Sequence, residues 1–413
     1  MTIAAVTPQA VRHALLTRAE IALVDLRSED AFARGHPLFA AQLPVDRIAI
    51  EAALRFPRRD VLLVLYDDGE GLVDAGAAAF AALGYTDVRA LEGGLGGWSG
   101  AGYELFEDVN SYSKAFGELV EHRRHTPSLS AEDVHALIED KADIAILDAR
   151  RFDEYATMSV PTGTSAPGAE LVLAAPAVAP DPDTLVIVNC AGRTRSIIGA
   201  QSLVNAGLPN RVAALRNGTI GWTLAGKPLE TGQRRRASLP AAAFVDEAHR
   251  RARAVAYRAG VKRLGAASLA LLASESQRTL YRFDVRQPEA FAAGHIAGFR
   301  NVPGGQLVQE TDHYAPVRGA RIVVADDLGP RADMTASWLA QLGWETYVLD
   351  GGFDGPLEQG AGPGFPPRGP EGRYRRPYEG TDNAAEAMQA YLEWEYGLVD
   401  QLARDGTHGF TVI

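Results

Sequence analysis

The chain has 413 residues and a mass of 44.1 kDa, enough for several domains at roughly 150 residues each. Hydrophobic residues make up 46% and charged residues 23%, a globular balance that excludes a wholly disordered or fibrous chain, and the formal charge of −11 excludes a global basic field for nucleic acid or anionic lipid. The single cysteine, Cys190, excludes an intramolecular disulfide and any cysteine-rich metal or iron–sulfur site, so its sulfur, if used, is used for its chemistry.

The chain opens on MTIAAVTPQA, which has neither a basic leader nor a following apolar run, and the most apolar stretch, LVLAAPAVAP, is short and cut by prolines. A cytoplasmic protein without membrane or nucleic-acid partners is expected. From Val24 the chain reads VDLRSEDAF, then Pro44, a strand-like run VLLVLYDD, a helix-patterned AAAFAALGY and a Gly97-Trp98 pair. Residues 107–127 carry SYSKAFGELVEHRRH, a linker helix. The same order then recurs with LDARRFDEY from Leu147, Pro167, LVIVNCAG, IIGAQSLVNAGL and Gly221-Trp222. After a second linker, TGQRRRASLPAAAF, comes a third copy with FDVRQPEAF from Phe283, Pro303, RIVVADDL and MTASWLAQLGW.

The copies keep fixed offsets. Asp25, Asp148 and Asp284 are each followed by arginine two residues on, by proline nineteen residues on, and by the end of the β-run 42 residues on, at Asp67, Cys190 and Asp326. Short aliphatic runs alternating with amphipathic stretches predict βαβ units, hence three tandem α/β domains, each a small parallel sheet covered on both faces. The expected divisions are 1–106, a linker helix 107–127, 128–233, a linker 234–257, 258–360, and 361–413 as a Gly/Pro-rich linker (AGPGFPPRGP) with a terminal helix in AAEAMQAYLEWEYGLVDQLARDG.

Only the middle copy has a nucleophile. Cys190 ends a strand, Ala191 follows it, Gly192 permits a tight turn, Arg193, Thr194 and Arg195 come next, and Ser196 opens a helix. Loop amides and a helix N-terminus favour thiolate over thiol and can cradle an anion, while the two arginines add full charges. A small inert core cysteine is the alternative. Asp148 and Arg150 serve either to orient the loop or as an internal salt bridge, and their recurrence in the copies without a nucleophile favours the bridge. His122 and His125 lack a third metal ligand, Gln233 to Arg236 read as an exposed linker run, and the aromatics of YLEWEY (Tyr391 to Tyr396) are spaced for docking a tail helix.

The Asp-x-Arg segments, the strand-to-loop cysteine with its helix and the Gly-Trp pairs together resemble the rhodanese domain, the fold of thiosulfate sulfurtransferases, over about three quarters of the chain as three tandem domains. The resemblance is closest to bacterial multi-rhodanese sulfurtransferases with one working cysteine. It implies that Cys190 is the catalytic nucleophile, that Ala191, Gly192, Arg193, Thr194, Arg195 and Ser196 bind substrate, and that Asp148 and Arg150 support the loop. It implies further that a thiosulfate-like donor passes sulfur through a Cys190 persulfide to cyanide or a thiol, without metal or organic cofactor, and that a sulfur-acceptor protein is a possible partner. The related phosphatases use a loop one residue longer, so loop length favours sulfur over phosphorus. The family's Gly-His-Ile element, which usually lines the approach to the site, stands at Gly294-His295-Ile296 and in part at Gly35-His36, whereas copy two departs from it with Met158-Ser159-Val160. Asp67 and Asp326 exclude persulfide formation in the outer copies, which the resemblance makes structural or regulatory supports. Two rivals stand beside the sulfurtransferase: a phosphatase or arsenate reductase, and a carrier loaded by a cysteine desulfurase.

Overall fold

The structure, a computed structural model, describes residues 3–238, 241–366, 374–376 and 378–413. Leu239, Pro240 and Pro367 to Pro370, which belong to the two expected linker stretches, lie outside the described residues.

Three five-stranded parallel sheets form, one per copy, and all share the spatial order first, fifth, fourth, second, third. The second and fourth strands are the apolar runs: Ile21–Asp25 and Leu62–Tyr66, Ile144–Asp148 and Leu185–Asn189, Leu280–Asp284 and Arg321–Ala325. They are largely buried because helices cover both faces, as continuous aliphatic runs require. From these adjacent strands the chain crosses over in opposite directions, which opens a crevice at their carboxyl ends. Asp67, Cys190 and Asp326 each follow the last residue of a fourth strand, so the repeat's 42-residue offset marks that crevice.

The three domains pack as one body. The helix Ser111–Arg124, expected as a simple linker, is buried from Ser111 to Val120 except at the half-buried Lys114. Its Tyr112 hydroxyl donates to the Val308 carbonyl (3.0 Å) and Ser113 Oγ to the Gln309 carbonyl (2.9 Å), tying it to the third domain. The second linker contains a long helix, Ala242–Arg258, that sequence reading left unassigned. Ala248, Ala252, Val255 and Ala256 are its buried residues, a helical spacing hidden by the small size of alanine. Trp338 Nε1 donates to Ser202 Oγ (2.8 Å), and the Tyr281 hydroxyl donates to the Arg55 carbonyl (2.6 Å), so each domain is bonded to another.

The tail forms two helices, Ala384–Tyr396 and Leu398–Asp405, where one was expected. The break at Gly397 has a packing cause: Tyr391 and Leu392 pack with Ile220 of the second domain, whereas Leu398 and Leu402 join the core cluster of the first and third domains. Phe410 then seats between Phe39 and Phe116, with ring centroids 6.0 and 5.3 Å away.

The contact between second and third domains is close enough to require glycine. A Cβ on Gly304 would stand 2.0 Å from Thr335 Oγ1 and 2.7 Å from the Ala169 Cβ across the interface. Gly304→Ala is expected to cost about 1–3 kcal/mol through overpacking, read as a lower urea midpoint at unchanged slope.

Candidate active site

Cys190 is 2% exposed and begins a loop that runs through Arg193 into the helix Thr194–Asn205. Its backbone is pinned from below, where Thr219 N–H donates to the Cys190 carbonyl (2.9 Å) and Ile220 N–H to the Ala191 carbonyl (2.9 Å). Gly218, at φ +54°, is what lets this helix turn approach, since a Cβ there would meet the Cys190 carbonyl oxygen at 2.4 Å.

The outer domains display what such a loop binds. In the first, Asp67 Oδ1 accepts from the amide two residues on, Gly69 (3.1 Å), and Oδ2 from the amide five residues on, Leu72 (2.5 Å). In the third, Asp326 repeats this with the Leu328 (3.3 Å) and Arg331 (2.9 Å) amides. Two of the three loops therefore hold a carboxylate by the same pair of N–H groups, counted from the position where the middle loop has sulfur. The corresponding amides there are Gly192 and Arg195. An oxyanion and a sulfur anion have the same need for converging donors.

Asp148 and Arg150 form a buried bidentate pair (Arg150 Nε to Oδ1 2.9 Å, Nη2 to Oδ2 2.6 Å), and Arg150 also donates to the Met158 carbonyl (2.6 Å). Asp25/Arg27 and Asp284/Arg286 repeat this arrangement onto the Gly35 and Gly294 carbonyls. In all three domains the pair clasps the end of the second strand to the chain eight residues on. In the middle domain Asn189 Nδ2 adds a bond to Asp148 Oδ2 (2.9 Å), linking the clasp to the residue before Cys190. The histidines of the Gly-His element are also structural. His36 and His295 stack on Phe32 and Phe291 with centroids 3.7 Å apart, each with Nδ1 on the carbonyl of that phenylalanine, and burial pushes His36 down to about 3. The buried Ser159 stands at this position in the middle domain, while its neighbours Thr157 and Met158 face the chamber described below.

The two arginines of the loop have different fates. Arg193, expected to meet the donor, is 3% exposed, and its guanidinium is held by Glu118 (2.7 and 2.8 Å), Glu121 and Asn217 Oδ1 (3.1 Å), with Tyr396 stacked at 4.1 Å. The expectation therefore gives way to an anchor: this arginine fastens the loop to the helix Ser111–Arg124. Arg195 pairs with both oxygens of Glu154 (2.7 and 2.9 Å). Burial alone would raise the Glu154 carboxyl, but the Arg195 charge holds it down to about 2. Ser196 Oγ donates to the Arg193 carbonyl (2.8 Å) and Thr194 packs against Gly117, so these two residues shape the helix start.

A pocket of about 40 Å³ surrounds Cys190, walled by its own loop and, from the tail, by Arg376, Tyr378, Tyr391 and Glu395. Ala191, Arg195, Ile220, Gln309, Arg376 and Tyr378 also border a chamber of about 990 Å³. The outer domains complete that chamber: Phe32 and Arg55 come from the first, Gln306, Glu310 and Tyr314 from the third. Arg376, whose guanidinium donates to the Tyr378 hydroxyl (3.0 Å), is a cation at the mouth that sequence reading missed. Its signal, Tyr-x-Arg-x-Tyr, lies in a Gly/Pro-rich stretch with no periodicity. Among the described residues, no group of three His, Cys, Asp or Glu could hold a metal ion, and no helix is long and apolar enough to cross a membrane.

A lone cysteine at the end of a central parallel strand, in a loop repeated twice without the sulfur, defines a tandem α/β protein with one thiol site. Residues 7–101, 130–225 and 266–358 match the rhodanese-like domain, and the chain belongs to that family. Over its whole length it is similar to the crystal structure of thiosulfate sulfurtransferase from Pseudomonas aeruginosa, at 49% identity and a TM-score of 0.94, covering 100% of both chains. It is also 36% identical over 75 residues to thiosulfate sulfurtransferase GlpE of Ectopseudomonas mendocina, a match to 17% of this chain that spans 64% of that protein's length. The full-length likeness makes this chain an enzyme of the sulfurtransferase kind.

Proposed function

We propose that this enzyme moves a sulfane sulfur from thiosulfate or a similar donor, through a persulfide on Cys190, to cyanide or a thiol. One observation carries the reading: the only cysteine stands where two sister loops hold a carboxylate by paired amides. Cys190 Sγ, once deprotonated to the thiolate, attacks the outer sulfur of S–SO₃²⁻, the S–S bond breaks, and its electron pair leaves with sulfite. The persulfide anion, Cys190–S–S⁻, then rests against the Gly192 and Arg195 N–H groups. In the second half, cyanide or a thiolate attacks the outer sulfur, the Cys190 thiolate departs, and thiocyanate or a new persulfide is released.

Arg376, which borders both the pocket and the chamber, is suited to the sulfonate oxygens of the donor, whereas Arg195 has both terminal guanidinium nitrogens on Glu154 and serves through its backbone amide. The burial of Cys190 favours small donors and acceptors over direct docking of a carrier protein. The outer domains act as supports that shape the chamber, and a reducing cytoplasmic setting suits a thiol that must stay free. Thiocyanate formation from thiosulfate and cyanide, measured beside hydrolysis of an aryl phosphate and reduction of arsenate, tests the reading. Thiocyanate alone is expected; aryl phosphate or arsenate turnover without thiocyanate would replace the sulfurtransferase by a phosphatase-like enzyme.

A further inference from the structure

The tail helix Ala384–Tyr396 brings a carboxyl group into the cysteine pocket. Glu395 is 2% exposed, and its Oε2 has no hydrogen-bond partner among the described residues. That oxygen lies 3.5 Å from where a Cβ on Gly192 would stand, against the residue whose amide corresponds to a carboxylate-holding amide in both sister loops. Cys190 and Glu395 both wall the same pocket of about 40 Å³.

The surrounding ions already have partners. From the helix Ser111–Arg124, Lys114 is bound to Asp108 (2.5 Å) and lies over the Tyr391 and Trp394 rings, while Glu118 is bound to Arg193 of the loop. Arg376 and Tyr378, two residues apart on the pocket wall, are bonded to each other. Glu395 is left with burial as its dominant influence, opposed by Lys114 and Arg193 and reinforced by Glu118 and Asp108, and is pushed up to about 8. A buried acid beside a nucleophile, titrating near neutral pH, is placed for proton transfer.

Resting on the persulfide reading above, we propose that Glu395 is the proton partner of Cys190, accepting the thiol proton when the sulfur attacks the donor and returning it when the persulfide is discharged. In the first half, Cys190–SH, the Glu395 carboxylate and thiosulfate give Cys190–S–S⁻, the Glu395 carboxylic acid and sulfite. In the second half, cyanide attacks the outer sulfur, the S–S electron pair goes to Cys190 Sγ, and the Glu395 proton follows it. Thiocyanate leaves, and the thiol and carboxylate are restored. Charge and protons close over the cycle without an external acid.

The test is persulfide discharge by cyanide in the full-length protein, with wild type and Glu395→Gln first loaded to completion by long incubation with thiosulfate and checked by intact mass. Complete loading of the variant also shows that its site is folded. At pH 7 the variant is expected to discharge roughly 100-fold more slowly. Cyanide's own ionisation cancels in the ratio of the two rates, which should fall about tenfold per pH unit above about 8 as Glu395 loses its proton. Glu395→Asp should keep that pH limb at a reduced rate. A ratio near one at pH 7, or one that stays constant with pH, would overturn the proposal while leaving the persulfide reading intact. Failure of the wild type itself to load would overturn both.

Discussion

Cys190→Ala is expected to abolish sulfur transfer, lowering thiosulfate-to-cyanide turnover by roughly 10⁴-fold or more, because the chain has no second sulfhydryl to form the intermediate. Stability should change by only about 1 kcal/mol, since the lost sulfur leaves a void no larger than a small group beside an existing pocket. Thiocyanate assay and thermal melting of the same preparation separate the two effects. A variant that keeps turnover would show that the loop amides and arginines act on the donor without a covalent intermediate. The outer loops offer no substitute. Asp67 and Asp326 already fill their own amide pairs, and burial pushes Asp326 up to about 6 even with Arg331 at 2.9 Å.

Arg193→Leu is expected to cost about 3–5 kcal/mol in stability, the penalty for leaving a buried carboxylate without its counter-ion. Glu118 is 4% exposed, and burial raises its carboxyl even with the arginine present. Without Arg193 it rises further. A raised acid contributes its penalty where it must ionise, so the deficit should be full above the raised folded-state pKa of Glu118 and shrink as the pH falls through it and the carboxyl takes up its proton. Urea midpoints at two pH values read this directly. The double variant Arg193→Leu/Glu118→Leu should recover much of the loss, whereas a role in donor binding alone would leave the single variant stable and the pH effect absent.

The fold was legible because each copy repeats the physical requirements of the same unit. A doubly covered strand must be continuously apolar, an Asp-x-Arg clasp must end the second strand, and a tight loop must follow the fourth. These are local in sequence, so fixed offsets expose them. The loop's cysteine was legible for the same reason. What was hidden depends on distant segments: Arg193 looks like a substrate ligand until Glu118 and Glu121, spaced three apart on SYSKAFGELVEHRRH, are seen to take its charge. Those two acids on one helical face were the available signal. The helix Ala242–Arg258 hid its buried stripe behind alanines and a run of arginines. Tyr391 to Tyr396 read correctly as a docking helix, but nothing local says that it docks over the cysteine, or that Glu395 turns inward. The chamber is harder still, since its walls come from all three domains and the tail.

The proposed transfer passes through a covalent sulfur at one atom, Cys190 Sγ. Intact-mass spectrometry after incubation with thiosulfate, with Cys190→Ala alongside, tests this most directly, because one added sulfur is about 32 Da and the chain has one cysteine to carry it. A gain of one sulfur in the wild type, removed by cyanide and absent from the variant, is the predicted result. An unmodified wild-type mass with the thiol still free, or an equal gain in the Cys190→Ala protein, would contradict it.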